Sequence, residues 1–410
     1  MAKIKNIHGR QVFDSRGIPT IEVDITLDNE IIGRASVPSG ASKGEKEAHE
    51  LRDNDKYQYG GKGVSKAISL INTEIYNEII NLNCEDQEDI DNALIKLDGT
   101  ANKNRLGANG ILATSLAIAK AAAKNNNIPL YRYIANLGSF NPVMPTPMVN
   151  IINGGMHADN SLAIQEFMIY PEGFSSIQDK LRATCEIFME LKIMLKKSKF
   201  NTSVGDEGGF APNLTDTCHA IDLLMEAIEK TGYSEKVKIA LDVAASSIYN
   251  KERYLIENKE MNGDQMIDFY RNLVDKYPIF SIEDGMEEND HNGWRNLTKS
   301  MNSKLQLVGD DIFVTNIDHL KHGIENNIAN AILIKPNQIG TLSETIQTIK
   351  YAFANKYKVI VSHRSGETED TAIAHLAVGC GCGQIKTGSI SRSERVAKYN
   401  ELLRIAEDNI

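Results

Sequence analysis

The sequence predicts an α/β protein in which a small α+β domain is followed by a (β/α)8-type barrel. Three observations support this fold class. Residues 1–138 alternate like strands and then become helical, which is typical of a separate α+β domain. Residues 139–410 contain eight short apolar runs separated by helical segments, as a barrel domain does. Polar residues end the last six of these runs, where a barrel carries its active site.

The first domain is predicted to be a three-stranded antiparallel meander followed by helices. Residues 10–37 alternate apolar and polar side chains and are interrupted by turn residues. Residues 38–44, which include Ser42, form a loop of small residues that either folds over a ligand or is a passive linker. Apolar spacings of three and four predict helices over 64–132, apart from a turn at 97–104.

The barrel domain is predicted to span 139–410, with the proline-rich stretch 141–147 marking its boundary, and to contain eight strands. These strands are 149–152, 166–170, 239–242, 279–283, 305–310, 331–335, 358–363 and 384–386. The polar residues that end the last six strands are 41, 27, 25, 28 and 23 residues apart. Such spacings leave room for a helix between consecutive strands, with one longer insertion, so they favour a closed barrel.

Composition excludes several classes of protein. The 410 residues are 41% hydrophobic with a net charge of −10, which argues against nucleic-acid or anionic-membrane binding. The amino terminus lacks the apolar segment of a signal peptide, and polar residues interrupt every candidate membrane span. The five cysteines have neither disulfide-framework nor zinc-site spacing. We therefore expect a cytoplasmic protein without a membrane span.

Lys335 ends an apolar strand at a position where a charge is poorly solvated. Taken alone, such a lysine either pairs with a carboxylate for structural reasons or is tuned for chemistry by its surroundings. The other strand ends favour chemistry, because Asp242, Glu283 and Asp310 end neighbouring strands and would meet at one barrel mouth. Three carboxylates without cysteine form a hard oxygen site of the kind that Mg²⁺ prefers. The alternative is that each residue forms an unrelated structural ion pair.

Two glutamates at the same barrel mouth are candidates for a general acid. Glu207 lies between glycines that let the backbone approach a ligand, and Glu166 follows a long loop that contains His157. Two carboxyl groups close together raise one another's proton affinity, so one of them is expected to stay protonated near neutral pH. That arrangement is typical of a general acid.

The ordered motifs resemble those of the enolase family from end to end. They are Asp14-Ser-Arg-Gly, 39–42, 154–166, Val204-Gly-Asp-Glu-Gly-Gly209, Ser281-Ile-Glu-Asp-Gly285, Val308-Gly-Asp-Asp311, 333–340, 362–370, 383–388 and 391–395. Two departures, Ile18 and Ser247-Ile248, fall on positions without an assigned chemical role, so they put local packing in doubt rather than activity.

The resemblance implies reversible dehydration of 2-phosphoglycerate to phosphoenolpyruvate, a glycolytic hydro-lyase reaction with two Mg²⁺ ions per site. Lys335 would be the base, and Glu207 the acid supported by Glu166. Asp242, Glu283 and Asp310 would hold the first ion, and Ser42 would help to seat the second. Substrate would be positioned by Ser42, His157, Gln165, His363, Arg364, Ser365 and Lys386.

The resemblance also implies at least a homodimer, with Arg10, Glu22 and Arg404 as candidate interface residues, and leaves secretion or surface display possible. Two other functions stay open at this point. Another enolase-superfamily lyase would share the metal carboxylates but would not need Ser42, Arg364 and Ser365 for a phosphate. A non-catalytic binding protein on the same fold would need none of the reactive residues.

Overall fold

The computed structural model describes residues 2–40 and 44–408. Its first part contains an antiparallel sheet in the order β1 (Ile4–Phe13), β2 (Pro19–Leu27) and β3 (Ile32–Ser36). The strand β1 begins earlier than the alternation predicts, and a register irregularity between Ile4 and Asn6 accommodates the change. The Asp14 carboxylate accepts hydrogen bonds from the backbone N–H groups of Arg16 and Ile18, so the turn forms despite the departure at Ile18.

Helices follow the meander and cover one face of it. They are α1 (Ser65–Leu70), α2 (Tyr76–Ile79), α3 (Gln87–Asp98), α4 (Ala108–Asn125) and α5 (Leu130–Gly138), with a π-helical turn, Ile71–Ile75, between α1 and α2. The alanine-rich helix α4 packs closely on β2 and β3. A Cβ atom at Gly33 would lie 2.1 Å from the Ala117 carbonyl oxygen, so this approach requires glycine.

The second part is a closed eight-stranded barrel, as the sequence predicts. Its strands, together with a small excursion of three strands, are β4 (Thr146–Asn153), β5 (Glu166–Tyr170), β6 (Lys238–Asp242), β7 (Tyr249–Asn250), β8 (Arg253–Ile256), β9 (Lys259–Met261), β10 (Ile279–Glu283), β11 (Gln306–Gly309), β12 (Ala331–Ile334), β13 (Lys358–Ser362) and β14 (Gly383–Lys386). The barrel closes in the order β10, β11, β12, β13, β14, β4, β5, β6, and β7 to β9 form a separate sheet.

Helices surround the barrel on the outside. They are α6 (Ile177–Lys197), α7 (Thr217–Lys230), α8 (Gly263–Lys276), α9 (His291–Met301), α10 (Ile317–Glu325), α11 (Pro336–Ile339), α12 (Leu342–Ala354), α13 (Ala372–Gly379) and α14 (Ser393–Ala406). Several begin with a side-chain cap, such as Ser176 before α6 and Thr341 before α12. Within the described residues, no helix is both long and apolar enough to cross a membrane.

One barrel strand runs against the others, which the strand–helix spacing alone does not predict. The strand β5 pairs antiparallel with both β4 and β6, and no α-helix separates it from β4. Its amino end therefore lies where the other strands have their carboxyl ends. For this reason Glu166, the first residue of β5, is in register with Asp242, the last residue of β6.

The barrel wall is buried on both faces. Ala331 and Leu333 of β12 belong to a small apolar cluster shared with Met168 and Val308, whereas Ile332 and Ile334 belong to the large core that includes the helices. Side chains alternate along a strand, so one set fills the interior of the closed barrel and the other packs outward. This two-sided burial explains why the run before Lys335 is continuously apolar.

Buried polar contacts join the N-terminal helices to the barrel. The Asp91 carboxylate of α3 accepts hydrogen bonds from both the backbone N–H and the hydroxyl of Ser343 in the first turn of α12. Lys120 of α4 pairs with Asp370 at 2.6 Å. Both contacts hold the N-terminal helices against the barrel.

Candidate active site

The predicted strand-end residues surround one cavity of about 260 Å³ at the barrel mouth. Among the residues predicted from sequence, its walls include His157, Gln165, Glu166, Glu207, Asp242, Asp310, Lys335, His363, Arg364, Ser365 and Lys386. Glu283 does not line the cavity but contacts Lys386, which does. The predicted loop residue Ser42 lies outside the described residues.

The strands place these side chains by register. Asp242, Glu283 and Lys386 are the last residues of β6, β10 and β14, and Asp242 is directly opposite Glu283. Lys335 immediately follows β12, and His363 immediately follows β13. The carboxyl ends of parallel strands meet at one rim, so residues far apart in sequence become neighbours.

Lys386 is the positive centre of the mouth. Its ammonium lies 2.8 Å from Glu283, 3.0 Å from Asp242 and 3.2 Å from Glu166. Burial alone would lower the pKa of Lys386, but the surrounding carboxylates outweigh burial and raise it well above its ordinary value. The lysine therefore carries a fixed positive charge.

The carboxylates have the donor chemistry that the predicted magnesium site requires. Asp242, Glu283 and Asp310 provide only oxygen ligands, which suits a hard cation. Glu283 Oε2 is buried and has no hydrogen-bond partner within the described ranges. Burial and then the charge of Asp242 raise the pKa of Glu283 well above its ordinary value, although Lys386 opposes the rise. A cation bound at Glu283 would lower this pKa further.

The tightest groups of possible metal ligands differ from the predicted triad. In the part of the chain that the structure describes, the mutually close groups are His157–Glu166–Glu207 and Asp284–Asp310–Asp311. Sequence analysis assigned no role to Asp284 or Asp311. The predicted triad is less compact because Lys386 contacts Asp242 and Glu283, whereas Lys335 pairs with Asp310.

Lys335 forms the salt bridge that sequence analysis had set aside in favour of metal neighbours. Its ammonium pairs with Asp310, and its backbone N–H donates to Thr315 Oγ1 at 2.8 Å. Burial alone would lower the pKa of Lys335, but the charge of Asp310 outweighs burial and the net pKa is raised. The contact with Asp310 therefore favours the ammonium form of Lys335, and its role as a base stays a prediction.

Glu207 faces two imidazoles and an amide on the opposite side of the cavity. His157 Nδ1 lies 3.5 Å from Glu207 Oε2, and His363 Nε2 lies 3.5 Å from Oε1. Asn150 donates a hydrogen bond to Oε2 at 3.1 Å. Burial alone would raise the pKa of Glu207, but His157 and His363 outweigh it, so the pKa is well below its ordinary value.

The pKa of Glu166 is shifted in the opposite direction to that of Glu207. Burial and the charge of Glu207 raise the pKa of Glu166 well above its ordinary value. The two neighbouring carboxyl groups therefore differ in proton affinity, and Glu166, predicted to support the acid Glu207, has the higher pKa. His157 favours this order, because its Nδ1 lies 3.5 Å from Glu207 and 3.8 Å from Glu166.

Arg364, the predicted phosphate ligand, is engaged by a carboxylate that sequence analysis did not single out. Its NH1 and NH2 groups donate to the two oxygens of Glu47 at 2.8 and 3.1 Å. Gln338 Nε2 donates to Asp310 Oδ1 at 2.9 Å and lies 3.4 Å from Glu47 Oε1. The segment after residue 44 is thereby connected to both the anion-binding side and the carboxylate side of the cavity.

Comparison with known proteins agrees with this geometry. The family description "Enolase, N-terminal domain" matches residues 4–134, and "Enolase, C-terminal TIM barrel domain" matches residues 141–410. The chain is 56% identical over 405 residues to an enolase of Ehrlichia ruminantium strain Gardel, covering 98% of this chain and 96% of that protein. It is 55% identical over 404 residues to an enolase of Ehrlichia chaffeensis, with the same coverage. The chain belongs to the enolase family.

Enolase membership leaves several residues that contact the cavity lining without an assignment from sequence. Glu47 and Gln338 are placed by folding over sequence separations of 317 and 28 residues from their partners Arg364 and Asp310, so no local pattern marks them. Arg395 ends one of the motifs that carry the family resemblance, but no role for it follows from the sequence alone. In the structure its guanidinium contacts His363, one of the predicted substrate residues.

The departure at Ser247-Ile248 lies at the cavity of this enolase-family chain. Residues Ala245–Ile248 form a short 3-10 turn, and Ser247 donates a hydrogen bond to the Ala244 carbonyl oxygen at 2.8 Å. Ser246 and Ser247 line the cavity, so one of the two departing residues faces the site.

Proposed function

We propose that this chain catalyses the reversible dehydration of 2-phosphoglycerate to phosphoenolpyruvate, the glycolytic enolase reaction. The observation that carries this proposal is the arrangement of one cavity. Lys335 lies on its carboxylate-rich side, and Glu207 and Glu166 lie on the side of the imidazoles. Removing a proton and expelling hydroxide from the neighbouring carbon requires a base and an acid on separate groups of this kind.

Lys335 serves as the base that removes the C2 proton. In the described arrangement Lys335 is an ammonium ion paired with Asp310. It can accept a proton only after it has lost its own, which is easier when Asp310 no longer stabilises the ammonium form. Asp242, Glu283 and Asp310 would hold one Mg²⁺ ion, and Ser42 would help to hold a second. When bound, the ions supply positive charge for the additional negative charge that develops on the substrate carboxylate, as is typical of enolase-superfamily sites.

Glu207 and Glu166 together supply the proton that the leaving hydroxide takes up. The raised pKa of Glu166 and the lowered pKa of Glu207 support one shared proton that Glu166 holds at rest. We assign delivery to Glu207 and storage to Glu166, with His157 between them at 3.5 and 3.8 Å. Separating the proton affinities of two neighbouring carboxyl groups is a general way to divide acid and base tasks.

Cationic and polar groups on the remaining walls would orient the substrate. Arg364 offers a planar fork that matches two oxygens of a phosphate, and its contact with Glu47 supports affinity for an oxyanion at this place. Ser42, Ser365, Gln165, His157, His363 and Lys386 complete the proposed substrate contacts. Gln165 already donates to Asp242 Oδ2 at 3.3 Å, which connects substrate positioning to the proposed metal ligands.

The direct test follows phosphoenolpyruvate by its ultraviolet absorbance after 2-phosphoglycerate is added. We expect turnover with Mg²⁺, loss of turnover with a chelator and recovery when Mg²⁺ is restored. Turnover that is indifferent to the chelator would contradict the metal assignment. Absence of product, combined with dehydration of an acid sugar, would instead support another enolase-superfamily lyase, and absence of both would favour a binding protein.

We also propose that the chain forms a homodimer. Phe13 and Tyr59 are exposed aromatic side chains in edge contact with each other, and exposed apolar patches are typical of protein interfaces. Of the expected interface residues, Arg10 pairs with Glu22 within the chain, and Arg404 pairs with Glu401. These ion pairs do not require a partner, so gel filtration at two concentrations is the appropriate test.

We propose a cytoplasmic location and a boundary between residues 138 and 139, which separates α5 from the barrel. Family resemblance adds the proposal of a secondary surface-binding role. Cell fractionation would test both location and display. Limited proteolysis would test the boundary, because cleavage between α5 and β4 should release two folded fragments.

A further inference from the structure

The buried side chain of Arg395 connects three parts of the cavity wall. Arg395 lies in the first turn of α14 and has no exposed surface. Its NH2 group donates to the backbone carbonyls of Ser365 and Asp206, and its NH1 group donates to the carbonyl of Arg364. The same NH1 group lies 2.5 Å from His363 Nδ1.

The last contact restricts where the proton of His363 can be. A guanidinium group has only donors and does not lose its proton in proteins, so Nδ1 of His363 must accept. A neutral imidazole that accepts at Nδ1 carries its proton on Nε2. We propose that Arg395 locks His363 as the neutral Nε2–H tautomer, which makes Arg395 a positioning residue that acts through His363.

The tautomer directs a donor into the cavity. Nε2 of His363 is buried and makes no hydrogen bond within the described ranges, and Glu207 Oε1 is its acidic neighbour at 3.5 Å. Two positively charged groups, Lys335 and Lys386, share this cavity with the imidazole. The Nε2–H group therefore points toward Glu207 and makes no hydrogen bond to a protein acceptor within the described ranges.

The electrostatic surroundings keep His363 neutral. Burial lowers the pKa of His363 well below its ordinary value, and Arg395, Lys386 and Lys335 lower it further against the opposing charge of Glu207. A doubly protonated ring would also place an N–H group against the Arg395 donor. Geometry and charge thus favour the same single-proton state.

The consequence for catalysis rests on the proposed function. A fixed Nε2–H donor would hold the departing hydroxyl oxygen of the substrate beside Glu207, where that oxygen must receive its proton. The opposite tautomer would present a lone pair, which can accept from a hydroxyl group but cannot donate to the oxygen as it departs. Arg395 would therefore affect the chemical step more than substrate binding.

The direct test is ¹⁵N NMR of the full-length protein labelled at histidine. The chain has nine histidines, so the His363 signals are assigned by their loss in His363→Gln. We expect a protonated Nε2 and an unprotonated Nδ1 throughout the stable pH range. A protonated Nδ1, alone or together with Nε2, would overturn the proposal.

A second test uses variants that separate positioning from structure. Arg395→Lys keeps the charge but cannot reach all the acceptors at once, so we expect turnover to fall about tenfold or more while KM changes by less than about threefold. Arg271→Lys, at an exposed arginine of α8, is the matched control and should change neither. His363→Gln retains a donor near Nε2 and should be more active than His363→Asn, whose shorter amide falls near Nδ1.

The double variant decides whether Arg395 acts through His363. In the His363→Gln background, Arg395→Lys should cost no more than about twofold in turnover, because the imidazole it orients is gone. An equal loss in both backgrounds would overturn the proposal and assign Arg395 to loop structure alone. Failure of the proposed function would appear differently, as a wild-type protein with the expected tautomer but no phosphoenolpyruvate formation.

Discussion

Lys335 and Asp310 form an ion pair at the carboxyl ends of two neighbouring barrel strands, with both side chains largely buried. In the proposed reaction these residues have separate tasks, because one removes a proton and the other holds a cation. The Asp310 carboxylate cannot fully stabilise the ammonium of Lys335 while it also coordinates a metal ion. We infer that the charge state of the base and the occupation of the metal site are coupled through Asp310.

Replacing the base should stop proton removal without weakening metal binding. For Lys335→Ala we expect exchange of the substrate C2 proton with deuterated solvent to fall to the uncatalysed rate. Mg²⁺ binding, measured by calorimetry, should be retained because Asp310 loses a competing partner. Lys304→Ala, at an exposed lysine, is the control. Exchange at a near-wild-type rate would remove Lys335 from the base assignment.

Replacing the acid should separate the two halves of the reaction. Glu207→Gln keeps the size of the side chain but cannot deliver the shared proton. We expect phosphoenolpyruvate formation to fall about a hundredfold or more, the scale typical of acid catalysis, while C2 exchange is retained in larger part. Rapid-quench measurement of both processes checks this. Equal losses in exchange and dehydration would count against the assignment.

The planar fork of Arg364 should matter beyond its charge. Arg364→Lys retains a cation but loses bidentate contact, so we expect KM for 2-phosphoglycerate to rise about tenfold, equivalent to roughly 1.4 kcal/mol. Arg182→Lys, at an exposed arginine of α6, is the matched control. Steady-state kinetics at constant Mg²⁺ measures the effect. An unchanged KM would argue that the phosphate binds elsewhere.

Asp91 should make the stability of this chain depend on pH in an unusual direction. Burial raises the pKa of Asp91 to about 6, against hydrogen bonds from Ser343 and Ser115 that lower it. A carboxyl group whose folded-state pKa is raised contributes stability that is full below its unfolded pKa of about 4 and is lost as pH rises through 6. Asp91→Asn should abolish this contribution.

The measurement compares urea unfolding of wild type and Asp91→Asn between pH 5 and 8. We expect the stability advantage of wild type over the variant to decrease as pH rises across this interval. Asp89→Asn, at an exposed aspartate of the same helix, is the control and should show a constant difference. A wild-type advantage that increases with pH would show that Asp91 is stabilised as a carboxylate.

Sequence by itself determined the order of elements, the closed barrel and the residues that end its strands. Apolar runs of strand length separated by helical spacings require such a fold, because each run must be covered on both faces. Since parallel strands present their carboxyl ends at one rim, the meeting of Asp242, Glu283 and Lys386 also follows from sequence. The motif order was sufficient to indicate the enolase family.

Only the tertiary structure decided the partners and charge states at that rim. The reversal of β5, the Glu47 contact of Arg364 and the Arg395 contact of His363 join residues whose separation in sequence carries no local signal. Proton affinities depend on distances of a few ångströms to several charges at once, which spacing along the chain does not specify. This is why the raised pKa of Glu166 and the pairing of Lys335 with Asp310 follow only from the fold.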